Sequence, residues 1–599
     1  MSLQTLNDLF FEITGGDQPC LMLRKTVAGW EPISSQDFTA KVAGVAKSLR
    51  SWGISRGDRV AILSENRHEW VVADFASMLL GAVVVPIYTT LTSEQTAYIL
   101  RDSGSRTVFM SSERHLEKVL SIVEGTVVEK MVLMDERSHT RAVNMSEMMQ
   151  VGSDQQIESA GRSIAADDLA TIIYTSGTTG TPKGVMLTHG NMASNINYFC
   201  DDFGFQAGLS SISFLPLSHV TARCVDLGLL SRQVTLAHLP QIDQLSQALL
   251  DVRPHILLSV PRVYEKVHTQ VELNATKFPK KQIYRWALHT GRVHRREILA
   301  GETPRSFAWK LADRVVYAKI RAGLGGRVET FISGGAPLGR ELAEWYADVG
   351  IRICEGYGLT ETSPVIAVNT PAAHRIGSVG KPLGNVQVRI ADDGEILVRG
   401  PSVFKAYWNK PEETRDAFVD GWFKTGDIGR LDQDGFLYVT DRKKDLLKTS
   451  GGKFIAPQPI ENSLKHHPLV AEAVVVGDKR KFPAVLILPN FAALEIWARE
   501  QSVECSSREQ LVTDAQVLAC YETIIGELNQ NLAQFEKLKK FALLSEEFSP
   551  SNGTMTASLK IKRRAVEEHC REQIEWMYAE RATSPESPQR HRGTENEDG

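Results

Sequence analysis

From about residue 58 onward, short runs of β-branched and apolar residues alternate with longer segments of helical spacing. The pattern predicts strands at Arg59–Leu63 and Val83–Tyr88, helices after Asn66 and from Thr92, and further strands near residues 107 and 131. Strands that alternate with helices in this way form mainly parallel sheets covered by helices. The hydrophobic pattern therefore predicts an α/β fold.

Two later segments depart from this alternation. Residues 262–326 are charged, have a helical period and are interrupted between Gly301 and Pro304, which indicates a helical insertion. Residues 376–440 consist of short strands and tight turns, which indicates a small β-rich subdomain. The predicted N-terminal domain covers residues 1–440 and contains large βαβ sheets, this subdomain and the insertion.

A second, smaller domain is predicted after an abrupt charged run, Arg442–Asp445. Residues 441–445 are interpreted as a hinge, and residues 446–582 as a mobile α+β C-terminal domain with strands at 473–477 and 484–489 and a helical stretch at 508–540. A final helix is predicted from Lys562 to Ala582. Residues 583–599 are polar and proline-containing, and we expect a disordered tail there.

Composition narrows the class of protein. With 599 residues, 42% of them hydrophobic, and a net charge of −4, the chain gives no electrostatic reason to expect a nucleic acid partner. The N-terminus has no basic segment before an apolar core, so no signal peptide is expected. The longest apolar run, Ala76–Tyr88, contains Gly81 and Pro86 and is too short to span a bilayer.

The cysteines indicate a reducing compartment. All seven are scattered and none occurs in a CxxC pair, which fits neither a disulfide framework nor a zinc site. We therefore expect a cytoplasmic protein. No basic amphipathic helix stands out, and the final helix mixes both charge signs, so peripheral contact with the inner face of the membrane and the oligomeric state stay open.

The chemistry is concentrated in the segment Tyr174–Gly184. Its glycines allow close backbone approach to an anion, its hydroxyls add donors, and Lys183 adds a positive charge. We therefore expect a phosphate-binding loop formed by Thr175, Ser176, Gly177, Thr178, Thr179, Gly180 and Lys183.

This segment is not a P-loop. Pro182 precedes the lysine, and Gly184 stands where a Ser or Thr would ligate magnesium. Val185–Leu187 then resembles the second arm of a hairpin, before a helix that opens at His189. A flexible Gly/Thr turn is the alternative interpretation.

Further motifs follow in a characteristic order, and with the loop they resemble the adenylate-forming superfamily of acyl-CoA synthetases, peptide-synthetase adenylation domains and beetle luciferases. The resemblance covers about residues 15 to 580. The matching segments are Ser333–Leu338 (SGGAPL), Glu355–Thr362 (EGYGLTET), Gly394–Gly400 (GEILVRG), Trp422–Asp427 (WFKTGD), Asp441–Asp445 (DRKKD) and Ser558–Arg563 (SLKIKR).

The resemblance implies a site for ATP and Mg²⁺. The loop would hold the β- and γ-phosphates, Thr360 would donate to the α-phosphate, and Glu361 would ligate magnesium, which prefers carboxylate and phosphate oxygens. Adenine would lie between the Gly335–Ala336 backbone and the ring of Tyr357. The alternatives are a surface carboxylate or helix cap for Glu361 and plain core packing for Tyr357.

Other residues acquire roles from the same resemblance. Asp427 and Arg442 would bind the ribose hydroxyls, with a simple turn residue as the alternative for Asp427. Lys560 would be the catalytic cation that bridges the attacking carboxylate and the α-phosphate. The family more often has Gly before this lysine where this chain has Leu559, and the registration rests on the Lys-Ile-Lys-Arg continuation. Lys562 is the competing assignment, and a solvated basic run is the other alternative.

For the second half-reaction, the family swings its small domain about a hinge, which implies Lys444 as the hinge residue. The loop with Gly451, Gly452 and Lys453 would then line the channel for coenzyme A. Without the resemblance, this segment is simply an exposed basic loop with a turn.

Within the superfamily, the chain is most similar to bacterial long-chain fatty acid CoA ligases, on the segments Phe214–His219, Val260–Lys266 and Pro86–Thr90 and on the helical insertion. His219 would lie beside the acyl carboxylate, or be a buried structural histidine. The implied reaction joins a fatty acid to coenzyme A through acyl-AMP, and the acyl length stays open, as do medium-chain or aryl acids and other acceptors.

Three rival functions are weighed against this one. A peptide-synthetase module would need a carrier domain after Lys560, and no such domain is expected there. A luciferase-like enzyme would be expected to end in a peroxisomal tripeptide, which this sequence does not have. A transport protein that kept only the fold would be expected to have lost Lys560, Glu361 or Asp427, but all three are present.

Overall fold

The computed structural model describes residues 2–137, 139–150, 152, 155–175, 182–450, 453–503, 507–549, 552–556 and 561–579. The chain divides into two compact units. Unit 1 contains the residues up to Leu446, together with Ala456–Pro468 and Phe548–Lys562, and unit 2 contains Leu447–Ile455, Leu469–Glu547 and the described residues from Arg563 onward.

Unit 1 begins with α1 (Leu6–Gly15), β1 (Met22–Thr26), β2 (Gly29–Ile33), α2 (Ser35–Ser51), β3 (Arg59–Leu63), α3 (His68–Leu79), β4 (Val83–Ile87) and α4 (Ser93–Ser103). It continues with β5 (Ser105–Met110), α5 (Glu113–Leu120), β6 (Lys130–Leu133), β7 (Val143–Asn144), α6 (Met145–Met149), α7 (Gln155–Arg162), β8 (Leu169–Thr175) and β9 (Lys183–Thr188). Next come α8 (His189–Phe203), β10 (Ser210–Ser213), α9 (Val220–Ser231), β11 (Thr235–His238), α10 (Leu245–Val252) and β12 (Ile256–Ser259).

A helical segment follows, with α11 (Pro261–Asn274), α12 (Lys280–Leu299), α13 (Phe307–Ala312), a π turn (Asp313–Tyr317) and α14 (Ala318–Gly323). After it come β13 (Thr330–Ser333), α15 (Arg340–Asp348), β14 (Ile353–Gly358), a 3-10 turn (Thr360–Thr362), β15 (Val365–Val368) and β16 (Lys381–Pro382). The last part of unit 1 contains β17 (Gln387–Ile390), β18 (Glu395–Arg399), β19 (Ala406–Tyr407), α16 (Pro411–Asp416), β20 (Phe418–Val419), β21 (Trp422–Leu431), β22 (Leu437–Arg442) and α17 (Pro457–Lys465).

Unit 2 contains β23 (Leu447–Lys448), β24 (Phe454–Ile455), β25 (Val470–Val476), β26 (Ala484–Pro489), α18 (Phe491–Glu500), α19 (Arg508–Leu511), α20 (Ala515–Gln530), β27 (Phe541–Leu543), α21 (Arg563–His569) and α22 (Arg571–Tyr578). Its sheet has the order β25-β26-β27, and β23 pairs with β24.

Two large sheets organise the described part of unit 1. One has the order β19-β9-β8-β4-β3-β5-β6-β7 and the other the order β16-β15-β14-β13-β12-β10-β11-β1-β2, and the central strands of both are parallel. The main core joins them, because it contains Val84 of the first sheet, Leu236 of the second, and Phe75, Phe199 and other residues of the helices that pack between them. This arrangement confirms the predicted α/β class.

The predicted β-rich subdomain corresponds to an antiparallel sheet of order β17-β18-β21-β20, with β22 on the other side of β21. The predicted helices between 262 and 326 are also present, as α11 to α14 with the π turn. Helix α12 packs very closely on α15: a Cβ added at Gly291 would stand 1.8 Å from the carbonyl oxygen of Asp348. Only glycine allows that approach.

Two predicted helices are shorter than the sequence indicated. The stretch predicted at 508–540 ends at Gln530, because Asn531 closes α20 and Leu538 then exchanges hydrogen bonds with the side chain of Asn529 before β27. The final helix is interrupted at Cys570, between α21 and α22. Among the described residues, no helix combines the length and the apolar character needed to cross a bilayer.

Candidate active site

The phosphate-loop hairpin is built from β8 and β9, which are antiparallel. Thr175 lies directly opposite Lys183, and Tyr174 lies opposite Gly184, so both ends of the loop are fixed by strand pairing. A side chain at position 184 would clash, since a Cβ there would stand 2.7 Å from Ile172. The predicted phosphate donors Ser176, Gly177, Thr178, Thr179 and Gly180 lie outside the described residues.

Glu361 lies in the 3-10 turn after β14, with Thr360 beside it. The hydroxyl of Tyr407 donates to Glu361 Oε1 at 2.9 Å, and the Phe404 N–H donates to the Glu361 carbonyl at 2.8 Å. Burial is the main cause of a raised pKa at this carboxyl. The ring of Tyr407 lies 5.2 Å from Lys183 Nζ, so one tyrosine contacts both the expected magnesium ligand and the expected phosphate cation.

The residues around Glu361 fit a magnesium ion that is mainly bound by phosphate. Across the part of the chain that the structure describes, no group of three or more acidic, histidine or cysteine side chains is arranged to cage a metal. Mg²⁺ in nucleotide sites commonly takes one or two carboxylates and completes its shell with water and phosphate oxygens. A half-buried carboxylate that accepts a hydrogen bond from a neutral tyrosine hydroxyl suits that arrangement.

The expected adenine loop leaves β13 at Ser333. Gly335 has φ of +83°, a conformation that favours glycine, and Gly335 and Ala336 are exposed. Beyond them, the Leu338 N–H donates to Glu355 Oε1 at 2.9 Å. Glu355 lies on β14, directly opposite Ser333 in the parallel register, and its burial raises the pKa of its carboxyl to about 7.

Tyr357 connects this loop to the expected ribose site. It lies two residues after Glu355 on β14, and its hydroxyl donates to Asp427 Oδ2 at 2.7 Å. Asp427 on β21 is buried and pairs across the hairpin with Arg442 on β22, whose Nε lies 3.5 Å from Asp427 Oδ1. The structure therefore brings three predicted nucleotide-binding side chains into one continuous chain of contacts.

The segment that leaves unit 1 is fastened to the same region. Lys443 Nζ contacts Asp393 at 2.6 Å and Glu395 at 2.7 Å, and the other oxygen of Glu395 accepts from the Gly426 N–H at 3.0 Å. We call Lys443, Asp393 and Glu395 the Lys443 ion-pair cluster. The predicted hinge residue Lys444 is exposed and follows directly, two residues before unit 1 ends.

His219 has a structural role as the N-cap of α9. Its Nδ1 accepts from the Thr221 N–H at 3.2 Å, which leaves Nε2 to carry the proton of the neutral ring. One turn later, the buried Arg223 donates from Nε to Asp74 Oδ2 at 2.9 Å and lies 5.6 Å from the ring of Trp70. This pair ties α9 to α3 in the core.

The remaining predicted residues belong elsewhere. Lys453 lies in unit 2, where its backbone closes a turn with Thr449 through an N–H···O bond of 2.9 Å. Gly451, Gly452 and Lys560 lie outside the described residues, whereas Lys562 is described and its N–H donates to Thr554 at 2.8 Å.

Sequence reasoning missed two residues of this site. Glu355 lies within the Glu355–Thr362 motif but acquires no role from the resemblance, and Tyr407 lies outside all the matching motifs. The signal for Tyr407 was its place in a short run that follows the Gly394–Gly400 motif and contains a second aromatic residue, Phe404.

A cavity of about 510 Å³ lies away from these residues, lined by His255, Arg327, Phe331 and their neighbours. His255 and Glu329 precede β12 and β13, so the cavity opens at the amino-terminal ends of these parallel strands. Ligands of α/β sheets bind at the carboxyl ends. We therefore assign it no part in the site.

The fold and the contacts between the expected nucleotide-binding residues indicate an adenylate-forming α/β enzyme, and comparison with known proteins agrees. The family model for the AMP-binding enzyme matches residues 14–408, and the model for the AMP-binding enzyme C-terminal domain matches residues 444–582. The chain belongs to the AMP-binding enzyme family, as the sequence motifs indicated.

Relatives and solved structures match nearly the whole chain. It is 36% identical to the long-chain-fatty-acid–CoA ligase FadD15 of Mycobacterium bovis over 583 residues, which cover 95% of this chain and 96% of the relative. It is 30% identical to human long-chain-fatty-acid–CoA ligase ACSBG2, over 92% of this chain and 88% of the relative. The crystal structure of ATP-bound MatB from Rhodopseudomonas palustris matches with a TM-score of 0.71 and 26% identity, covering 95% and 99% of the two chains.

Proposed function

We propose that the protein is an AMP-forming long-chain fatty acid–CoA ligase. In the first step, a carboxylate oxygen of the fatty acid attacks the α-phosphorus of ATP, the bond to the β-phosphate breaks, and pyrophosphate leaves. In the second step, the sulfur of coenzyme A attacks the acyl carbon and AMP leaves. The observation that carries this proposal is the contact chain from Tyr357 through Asp427 to Arg442 beside the Gly335 loop.

The geometry supports a role for each residue in the first step. Asp427 is oriented by Tyr357 and Arg442, so its oxygens are positioned to accept hydrogen bonds from ribose hydroxyls. Lys183, at the end of the phosphate hairpin, would neutralise the leaving pyrophosphate. Glu361 would hold Mg²⁺, which when bound supplies charge neutralisation between the phosphates.

The reaction partners follow from this proposal. Fatty acid, ATP and coenzyme A are the substrates, and the long-chain preference comes from the two relatives whose names state it. AMP and acyl-CoA formation should be measured with palmitate beside octanoate, acetate, benzoate and an amino acid. Activity highest with palmitate supports the proposal, and AMP release with none of the acids would overturn it.

Lys560 is proposed as the cation of the first step. Replacing Lys560 by Ala should abolish acyl-adenylate formation, whereas thioester formation from supplied acyl-adenylate should persist. Lys562→Ala is the matched control, since it removes the same charge two residues away and tests the competing assignment. Equal loss of both half-reactions in the Lys560 variant would contradict the role.

Lys444 is proposed as the hinge residue of the second step. Lys444→Pro restricts the backbone at this position and should slow thioester formation more than adenylation. Lys444→Ala removes only the side chain and is the control for charge. Equal effects of the proline on the two half-reactions would argue against the hinge.

A further inference from the structure

Helices α12 and α13, with the turn that precedes α12, carry an unusual share of the exposed apolar surface. Among the described residues, sixteen large apolar side chains are exposed, and six of them lie within residues 278–311: Phe278, Ile283, Trp286, Val293, Phe307 and Leu311. Phe278 and Phe307 are the most exposed of the six, each at 81%. Single exposed apolar residues are ordinary, but a concentration of this kind marks an interaction surface.

The outer face of α12 is divided into two parallel stripes. Ile283, Trp286 and Val293 form the apolar stripe, and a basic stripe runs beside it with Lys281, Arg285, Arg292 and Arg296, all of them exposed. The spacing of each set keeps it on one side of a helix. The opposite face is buried at Ala287, Gly291 and Ile298.

The neighbours of α12 fix where these stripes lie. His294 contacts α13 through Ser306, at 2.8 Å, whereas Arg295 contacts α15 through Asp348, at 2.7 Å. The apolar stripe is therefore on the side of α13, where Phe307 and Leu311, one helical turn apart, are exposed as well. The two helices together present one apolar surface bordered by positive charge.

The charge of this region is opposite to that of the whole chain. Between residues 277 and 321 there are twelve Lys and Arg residues against three Asp and Glu, although the net charge of the protein is −4. Of the basic side chains in this described region, Lys277, Lys280, Lys281, Arg285, Arg296 and Lys310 are exposed and have no carboxylate partner within ion-pair distance. Their charge is available to an anionic partner.

We propose that α12 and α13 form a docking surface for an anionic phospholipid bilayer. Exposed aromatic and aliphatic side chains beside a basic stripe are what a helix needs to lie in the interface, with its apolar residues among the acyl chains and its cations at the headgroups. The inference does not depend on the identity of the acid. Combined with the proposed function, it places the enzyme at the surface that holds its substrate.

The test is sedimentation of the full chain, without ATP, with vesicles of phosphatidylglycerol and phosphatidylcholine in equal parts or of phosphatidylcholine alone. We expect binding to the anionic vesicles that weakens with added salt. Each basic side chain near such a surface contributes about a fivefold gain in binding, so Arg285→Gln with Arg296→Gln should weaken binding about 25-fold. The matched control is Arg114→Gln with Arg137→Gln, which removes two exposed charges elsewhere and should bind like the parent.

The apolar contribution is tested separately. Phe278→Ser with Phe307→Ser should weaken binding about tenfold or more, because two exposed rings no longer enter the bilayer. Trp576→Ser with Phe535→Ser removes two exposed aromatic rings of unit 2 and is the control. Far-UV circular dichroism and AMP release with soluble octanoate should be unchanged in all variants, which separates lost docking from lost folding.

Several results would overturn the inference. One is failure of the parent protein to bind anionic vesicles, and another is equal binding to both vesicle types. A third is that the variants of α12, α13 and the preceding turn bind as well as their controls. Each of these results contradicts the proposed surface. Binding to an acidic protein without binding to vesicles would assign the surface to another partner and would equally overturn it. Absence of AMP release with any acid would contradict the proposed function alone, because vesicle binding is measured without the reaction.

Discussion

Glu355 should make the stability of the proposed adenine loop depend on pH. Its carboxyl is buried on β14 and accepts a hydrogen bond from the Leu338 N–H, and burial raises its pKa to about 7 from an ordinary value of 4.5. Glu355→Gln keeps an acceptor oxygen of similar reach but removes the ionisation. The substitution therefore isolates the effect of burying a carboxyl that can lose its proton.

The sign and size follow from linkage. A carboxyl whose pKa is raised by folding binds more protons in the folded state, so stability is present at low pH and falls as pH rises from about 4.5 to about 7. A rise of the pKa from 4.5 to about 7 corresponds to about 3 kcal/mol. We expect the parent to lose about 3 kcal/mol relative to Glu355→Gln between pH 4 and pH 8.

Native-state amide hydrogen exchange of β13 and β14 measures this quantity locally, which matters because a chain with two compact units need not unfold in one step. Opening free energies of the two proteins are compared at each pH. Glu412→Gln, at an exposed position on α16, is the control. Parallel pH dependences for the parent and Glu355→Gln would refute the reasoning.

Three further changes test other contacts. Tyr407→Phe removes the hydrogen bond from the tyrosine hydroxyl to the Glu361 carboxylate, which is worth about 1.5–3 kcal/mol. The affinity for Mg–ATP, measured by calorimetry, should fall about tenfold or more if Glu361 holds the metal as proposed. Unchanged affinity would contradict a role for this hydrogen bond in binding. Arg223→Met leaves Asp74 buried without its counter-charge and should lower the free energy of unfolding, measured by thermal unfolding, by about 3–5 kcal/mol. Adding Asp74→Leu should recover most of that loss. No recovery would argue against the pair. Lys443→Met breaks the Lys443 ion-pair cluster beside the proposed hinge and should change the ratio of the two single-turnover half-reaction rates several-fold. An unchanged ratio would mean that this anchor does not influence the proposed hinge.

The local sequence predicts the individual strands and helices, but not the contacts between elements that are far apart along the chain. The strand Arg59–Leu63 and the hairpin around Lys183 could be predicted, because β-branched runs and turn residues act over a few positions. Tyr407 meets Glu361 only because β19 pairs with β9, a pairing far along the chain. No sequence pattern around Tyr407 predicts its contact with Glu361.

Helix α12 shows a different limit. Its sequence contains several apolar and basic positions, and a helical wheel does not say which face is covered. The buried face is determined by the close approach of Gly291 to α15 and by the contact of His294 with the start of α13. The sequence therefore does not show that α12 has an exposed face with apolar and basic stripes. Which residues of α12 are exposed depends on how the helix packs, because another placement would bury the same apolar residues in the core.

The proposed ribose site depends on a backbone irregularity that no turn rule would predict. From the hairpin turn, β21 and β22 pair in regular register through Gly429 opposite Val439, and continuing that register would place Asp427 opposite Asp441. Two carboxylates facing each other would repel. Instead, the register shifts by one residue between Gly429 and Ile428, and Arg442 comes opposite Asp427. A bulge of this kind re-aims side chains, so here one extra residue replaces a repulsive pair by the carboxylate and guanidinium of the proposed ribose site.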